Sequence, residues 1–236
     1  MSNVKLSKRM QAVVAFVDEM SVADIGCDHA YVAIWLANHG VKNVVAMDIK
    51  SGPLKIAEEN VRAYGLEKVI GVRQSDGMEG LNLGEASCAI IAGMGGELIT
   101  KILDKGREHL NKGIHLILQP QSEIHKVREF LLKNEYIITK EKMLVEEEKY
   151  YNVMKALPAT EADCVRKTPY SELEIMYGRI LLEEKNCVLK SFLTEEKRKL
   201  SDITDRLRSV YTPASSHRLN MIGQEIAFIN QALEML

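Results

Sequence analysis

Four short stretches place acids and glycines where they can hold a small ligand. The first is Val22-Ala-Asp-Ile-Gly-Cys-Asp-His-Ala-Tyr31. Val22, Ala23 and Ile25 are apolar, as in a strand covered on both faces. Gly26 ends that strand, and from Ala30 the pattern becomes helical through Ile34, Trp35 and Leu36. A strand turning tightly into a helix aims free main-chain N–H groups, here those around Gly26 and Cys27, at whatever lies beyond the strand. Asp24, Asp28, His29 and Tyr31 flank the same turn. The second stretch ends in Asp48-Ile49, the third in Asp76-Gly77, and the fourth runs Ala92-Gly-Met-Gly-Gly96.

These residue types suggest a particular ligand. Asp48 follows Asp24 by 24 residues, close to the spacing at which mononucleotide-binding units place an acid on the ribose hydroxyls. One carboxylate can accept both of those hydrogen bonds. Asp76, beside Gly77, can accept from an exocyclic amine such as adenine N6. Either acid can instead be a helix N-cap, but acids at two successive strand ends and in the first turn favour the ligand. The turn does not match G-x-G-x-x-G, because Asp28 and Tyr31 stand where glycines belong. An acid there disfavours a pyrophosphate and suits a cation. S-adenosylmethionine offers an ammonium, a sulfonium and an adenosine. Gly93-Met94-Gly95-Gly96 lacks the lysine of a P-loop, and its glycines permit close approach of the backbone to a ligand or simply a tight helix entry. The cofactor set expected from these turns is Asp24, Gly26 and Cys27, then Asp48 and Ile49, then Asp76 and Gly77, then Ala92, Gly93 and Met94.

The elements that must position them alternate. Strands are expected at Asn43–Ile49, Val69–Gly77, Ser87–Gly96 and His115–Pro120, with helices at Gly52–Tyr64, Glu97–Leu110 and Ser122–Asn134 between or after them. This order means a mostly parallel α/β sheet with helices on both faces. Tyr136–Thr139, Lys142–Val145 and Tyr150–Ala156 follow without a long helix between them, so an antiparallel edge is expected. Ahead of all this, Leu6 to Val17 forms a helix capped by Ser7, with Leu6, Met10, Val13, Val14 and Val17 on one face. Its Lys5, Lys8 and Arg9 can meet phosphate or form an ordinary solvated face.

Leu157-Pro-Ala-Thr160 reads as a linker, giving domains 1–158 and 159–236. Beyond it, Ser171 to Ser209 is rich in Glu, Lys, Arg and Leu, with apolar residues three and four apart. Tyr211 to Ser216 breaks the pattern. Ile222, Ile226, Ile229, Leu233 and Leu236 then repeat in a coiled-coil spacing, so a C-terminal helical coiled-coil hairpin is expected.

Composition bounds the function. The chain has 236 residues, 46% apolar and 27% charged, with net charge −2, so any nucleic-acid surface must be local. Four scattered cysteines without a CxxC fit packed thiols in a reducing cytoplasm. No histidine pair has zinc-site spacing, so no metal is expected. No apolar run is long enough to span a membrane, and Met1-Ser-Asn-Val-Lys5 is not a signal peptide. The sequence does not give the oligomeric state, and a monomer is compatible with it.

Taken together, Leu6-Ser-Lys-Arg-Met-Gln11, Ala23-Asp-Ile-Gly-Cys-Asp-His-Ala-Tyr31, Ser75-Asp-Gly77, Ile91-Ala-Gly-Met-Gly-Gly96 and Leu118-Gln-Pro120 resemble the bacterial tRNA (adenine-22-N1)-methyltransferase family, TrmK. The resemblance implies a Rossmann-like class I methyltransferase domain, S-adenosylmethionine as cofactor, a coiled-coil C-terminal domain and tRNA as partner. It implies methyl transfer to adenine N1 in the D-arm region. That nitrogen carries a lone pair at neutral pH, so the task is one of positioning rather than nucleophile activation. Asp28, His29, Tyr31 and Gln119 are the catalytic candidates above the sheet edge, and Asp28 has three possible roles: facing the cofactor ammonium, facing the adenine, or capping the helix. Rival readings are a small-molecule methyltransferase, a nicotinamide-dependent oxidoreductase and a non-catalytic scaffold.

Overall fold

The computed structural model describes residues 4–160, 168–208 and 213–236. Its elements run α1 (Lys8–Val14), β1 (Ser21–Ile25), α2 (Tyr31–Asn38), β2 (Asn43–Asp48), α3 (Ser51–Ala63), β3 (Ile70–Gln74), β4 (Cys88–Met94), α4 (Gly96–Lys105), α5 (Arg107–Asn111), β5 (His115–Pro120), α6 (Ile124–Lys133), β6 (Tyr136–Glu146) and β7 (Lys149–Pro158). Four helices follow: α7 (Glu172–Tyr177), α8 (Arg179–Glu183), α9 (Cys187–Arg208) and α10 (Pro213–Met235). Contacts divide the chain into two units, Met1–Lys167 and Thr168–Leu236.

In the first unit the strands form one seven-stranded sheet ordered β3-β2-β1-β4-β5-β7-β6. The first five are mutually parallel. Their carboxyl ends, at Gln74, Asp48, Ile25, Met94 and Pro120, therefore share one edge of the sheet, where open α/β sheets bind ligands. β7 runs antiparallel to β5 and to β6. The antiparallel pairing thus lies at the edge as expected, with β7 as the inserted strand and β6 outermost. Tyr136–Thr139 and Lys142–Val145 are one strand rather than two, because a register shift between Ile138 and Lys140 absorbs the irregularity. Leu157 and Pro158 end β7 instead of opening a linker.

Val22, Val44, Ile90 and Ile117 from the strands pack with Val13, Ile34 and Leu54 from the helices. Each such buried aliphatic side chain contributes about 1.5–3 kcal/mol. The expected helix over Glu97–Leu110 is interrupted at Gly106. A side chain there would collide with Met78, whose Sδ lies 2.7 Å from an ideal Cβ.

The second unit is helical, but Ser171–Ser209 is not one helix. Gly178 takes φ +96° and ends α7. Lys185 is left-handed, and Asn186 Oδ1 then accepts from the Val188 and Leu189 amides at the start of α9. In α10 Ile222, Ile229 and Ala232 are buried while Ile226 and Leu233 are only half-buried. Ala232 thus takes a seam place that the regular repeat assigns elsewhere. Val210 and the Tyr211-Thr212 part of the expected break lie outside the described residues, as does Cys164; the rest of that break, residues 213–216, is helical and opens α10, with Pro213 as its first residue. Cys27 and Cys88 are buried thiols and Cys187 is exposed. No described helix is long and apolar enough to cross a membrane.

Candidate active site

The β1–α2 turn is built from alternating left-handed residues. Gly26, Asp28 and Ala30 have φ of +76°, +52° and +61°. For Asp28 and Ala30 this conformation costs energy, and strained backbone persists only where the surroundings enforce it. Met47 O does part of that by accepting from both the Gly26 and Cys27 amides, at 2.7 and 2.9 Å. At φ +76° Gly26 holds a backbone conformation that any side chain would strain, and an ideal Cβ would also push aside the Met94 methyl, 2.2 Å away.

Three carboxylates surround this turn. Asp24 is buried at the end of β1, and its Oδ2 has no hydrogen-bond partner among the described residues. Burial pushes its pKa up to about 7, the Asp48 carboxylate adds to the rise, and the Ala33 amide works against it. Asp48 accepts from the Asp28 amide at 3.3 Å and the Lys50 amide at 2.9 Å, one on each oxygen. Those two bonds fix the carboxylate and leave lone pairs for a ligand. Asp28 is exposed, and its Oδ1 lies 3.7 Å from His29 Nδ1, too long for a hydrogen bond. Asp28 does not cap α2: the N-cap is Ala30, with no side-chain cap.

A cavity of about 370 Å³ opens beside the turn. One wall is Asp24, Gly26, Cys27, Asp28, His29 and Tyr31; Ala92 and Gly93 close a second side. The third is the N-terminal segment, with Lys5, Ser7 and Arg9. Gly93, at φ +78°, is held by its amide donating to Gln119 Oε1 at 3.1 Å. Arg9 Nη1 donates to the same oxygen at 2.7 Å.

Asp76 lies at the same sheet edge beyond β3, where it accepts from Lys105 Nζ at 2.7 Å. Ser75 shapes that turn, its Oγ donating to Gly77 O and accepting from the Gly80 amide. Ile49 is exposed, and its carbonyl accepts from Gln74 Nε2 at 2.9 Å. Among the described residues, no group of three His, Cys, Asp or Glu side chains is arranged to hold a metal.

A family model described as TrmK, tRNA (adenine(22)-N(1))-methyltransferase, matches residues 22–231. The chain belongs to this family. The tRNA (adenine(22)-N(1))-methyltransferase of Bacillus subtilis strain 168 is 33% identical over 237 residues, spanning 99% of either chain. The crystal structure of the B. subtilis M1A22 tRNA methyltransferase TrmK superposes with a TM-score of 0.85, covering 98% of this chain and 100% of that one. Mycoplasma capricolum TrmK, solved with S-adenosyl-homocysteine, is 26% identical with a TM-score of 0.83 over 98% of both chains. A Streptococcus pneumoniae structure in complex with S-adenosyl-L-methionine is 28% identical, with a TM-score of 0.83, covering 97% of this chain and 100% of that one.

In this TrmK-family chain the expected residues divide into three groups. Asp24, Gly26, Cys27, Asp28, His29, Tyr31, Ala92 and Gly93 converge on the cavity. Asp48, Ile49, Asp76, Gly77 and Met94 sit at the ends of β2, β3 and β4, along the same edge. Gln119 departs from the expectation: it is completely buried, and its carbonyl oxygen is taken by Arg9 and Gly93. Those two bonds tie it to the N-terminal segment and to the end of β4. In the sequence Arg9 stands only beside Lys5 and Lys8, as a cation for phosphate or a solvated face, and not among the site residues. Its place on a polar helix face gave no sign that it folds inward; only its position in the Leu6–Gln11 motif pointed to it.

Proposed function

We propose that this protein transfers a methyl group from S-adenosylmethionine to N1 of adenine-22 in tRNA, acting in the cytoplasm where tRNA matures. Family membership over residues 22–231 carries this reading. The chemistry of the site fits the cofactor. A buried carboxylate with an unpartnered oxygen, Asp24, and an exposed one, Asp28, face one cavity and suit a ligand with cationic groups.

When bound, S-adenosylmethionine supplies a methyl group activated by its sulfonium. Asp24 would hold the amino end, Asp48 the ribose hydroxyls and Asp76 the adenine amine, sharing its charge with Lys105. The target adenine must leave its stacked position, at a cost of a few kcal/mol. Tyr31, exposed at the cavity wall with the two ring centroids of Tyr31 and His29 6.2 Å apart, offers that base a stacking surface. Asp28, held at the turn by the Asp48 contact to its amide, places negative charge where the methylated ring becomes cationic. Adenine N1 needs no general base, which matches a cavity whose acids are placed to orient and to stabilise charge.

The test is incubation of the full chain with tritiated S-adenosylmethionine and an unmodified tRNA transcript. Transfer of tritium to RNA is expected. Labelling of small molecules but not of tRNA would overturn the reading.

A further inference from the structure

We propose that Arg9 is the anion-binding group of the cavity and takes the carboxylate at the amino-acid end of the cofactor. The inference rests on the cofactor reading above and adds a residue and a contact to it.

The argument begins with what Arg9 lacks. Its guanidinium is half-buried and lines the cavity, yet among the described residues it has no carboxylate partner. Its partners are neutral: the Gln119 amide oxygen at 2.7 Å and the face of the Tyr151 ring, 5.3 Å from ring centre to Cζ. Glu146 is close, but it bonds the main-chain amides of Lys8 and Arg9 at 2.5 and 3.4 Å, leaving the guanidinium alone. A guanidinium carries five N–H donors, and one oxygen satisfies only part of them. Partly removing such a charge from water without an opposite charge is unfavourable, so an anion arriving with a reactant would complete the site.

The position of Arg9 limits which anion that is. The guanidinium sits against Gly93, where an ideal Cβ would be 3.3 Å from its Nη1, so it lies at the floor of the turn rather than on an outer rim. Across the same cavity stand Asp24, with an unpartnered oxygen, and Asp28. A cavity with carboxylates on one wall and, on another, the Arg9 guanidinium with the exposed Lys5 beside it matches a zwitterion, whose ammonium and carboxylate leave one carbon. The amino-acid end of S-adenosylmethionine is such a group. A planar guanidinium is also suited to bidentate carboxylate recognition. A nucleic-acid phosphate would share the negative charge but bring no ammonium for Asp24.

The experiment uses the full chain and two nucleosides. S-adenosylhomocysteine carries the amino-acid end; 5′-methylthioadenosine has the adenosine and sulfur without it. Arg9→Gln keeps a donor for Gln119 but removes the charge. By calorimetry, Arg9→Gln is expected to weaken S-adenosylhomocysteine at least about tenfold, the scale of a lost charge-assisted hydrogen bond. Binding of 5′-methylthioadenosine should not change. Arg9→Lys, which keeps the charge without the fork, should recover part of the loss; failing to recover any would count against an electrostatic contact. Equal weakening of both nucleosides would mean that Arg9 only shapes the turn, and would overturn the proposal. Unchanged binding of both, with a raised KM for tRNA and a shallower salt dependence, would assign Arg9 to an RNA phosphate instead and overturn it as well. A wild-type protein that binds neither nucleoside would overturn the cofactor reading itself, and this inference with it.

Discussion

Replacing Asp24 by asparagine should make the unliganded protein more stable and the enzyme worse. The carboxyl group is buried, carries one oxygen without a partner and faces the Asp48 carboxylate. Its pKa rises from 3.8 in an unperturbed chain to about 7 in the fold, chiefly through burial. A folded-state pKa above the unfolded value means that this group's contribution to stability is fully present below about pH 4 and is lost as pH rises through 7. The full loss corresponds to about 4 kcal/mol at 1.36 kcal/mol per pKa unit, an upper figure because any rearrangement on ionisation lowers it. Asparagine has nearly the same shape, keeps an acceptor for the Ala33 amide and never ionises. Melting temperatures of unliganded wild type and Asp24→Asn should therefore be close at pH 4.5, with the variant higher by several degrees at pH 8. Calorimetry with S-adenosylhomocysteine should show the reverse ranking, with the variant clearly weaker. Wild-type affinity itself should drop about tenfold between pH 8 and pH 6 as Asp24 takes up a proton. A variant no more stable than wild type at pH 8 would refute the account of Asp24 as a charge held at a cost for a ligand.

Further outcomes follow from the other acids and from the helical unit. Asp48→Ala is expected to weaken S-adenosylmethionine by about 2–3 kcal/mol, read by calorimetry, through loss of charge-assisted bonds to the ribose. Asp28→Asn should leave cofactor affinity near normal and lower kcat by about 100-fold, the scale of one preorganised electrostatic group, in saturation kinetics; normal turnover would remove it from the catalytic set. Residues 1–167 alone should bind S-adenosylhomocysteine like the full chain but methylate tRNA poorly, and full-length RNA binding should weaken steeply with salt.

The fold was largely legible because βα alternation leaves a strong pattern: short apolar runs, amphipathic helices and acids at strand ends. That Asp24, Asp48 and Asp76 share one edge could be read because a parallel sheet brings the ends of its strands together. What the sequence concealed depends on contacts distant along the chain. The insertion of β7 between β5 and β6 follows from three-dimensional pairing that no local period records. The break at Gly178 looks, in sequence, like a tolerated glycine within a helix; it is a stop because Gly178 takes a left-handed φ. Gln119 read as an active-site residue from its strand end, but its orientation is set by Arg9, 110 residues away in sequence, and by the Gly93 amide. Arg9 itself looked like one solvated cation among several, since amphipathicity cannot say which basic residue of an N-terminal helix folds over a cavity.

The central claim is the site of methylation, and mapping it is the most direct test. An unmodified tRNA transcript treated with the full chain and S-adenosylmethionine can be digested and read by mass spectrometry. The account expects 1-methyladenosine at position 22 and none in a transcript whose adenine-22 is replaced by guanine. Methylation at another position or another adenine nitrogen, or equal methylation of the substituted transcript, would contradict it.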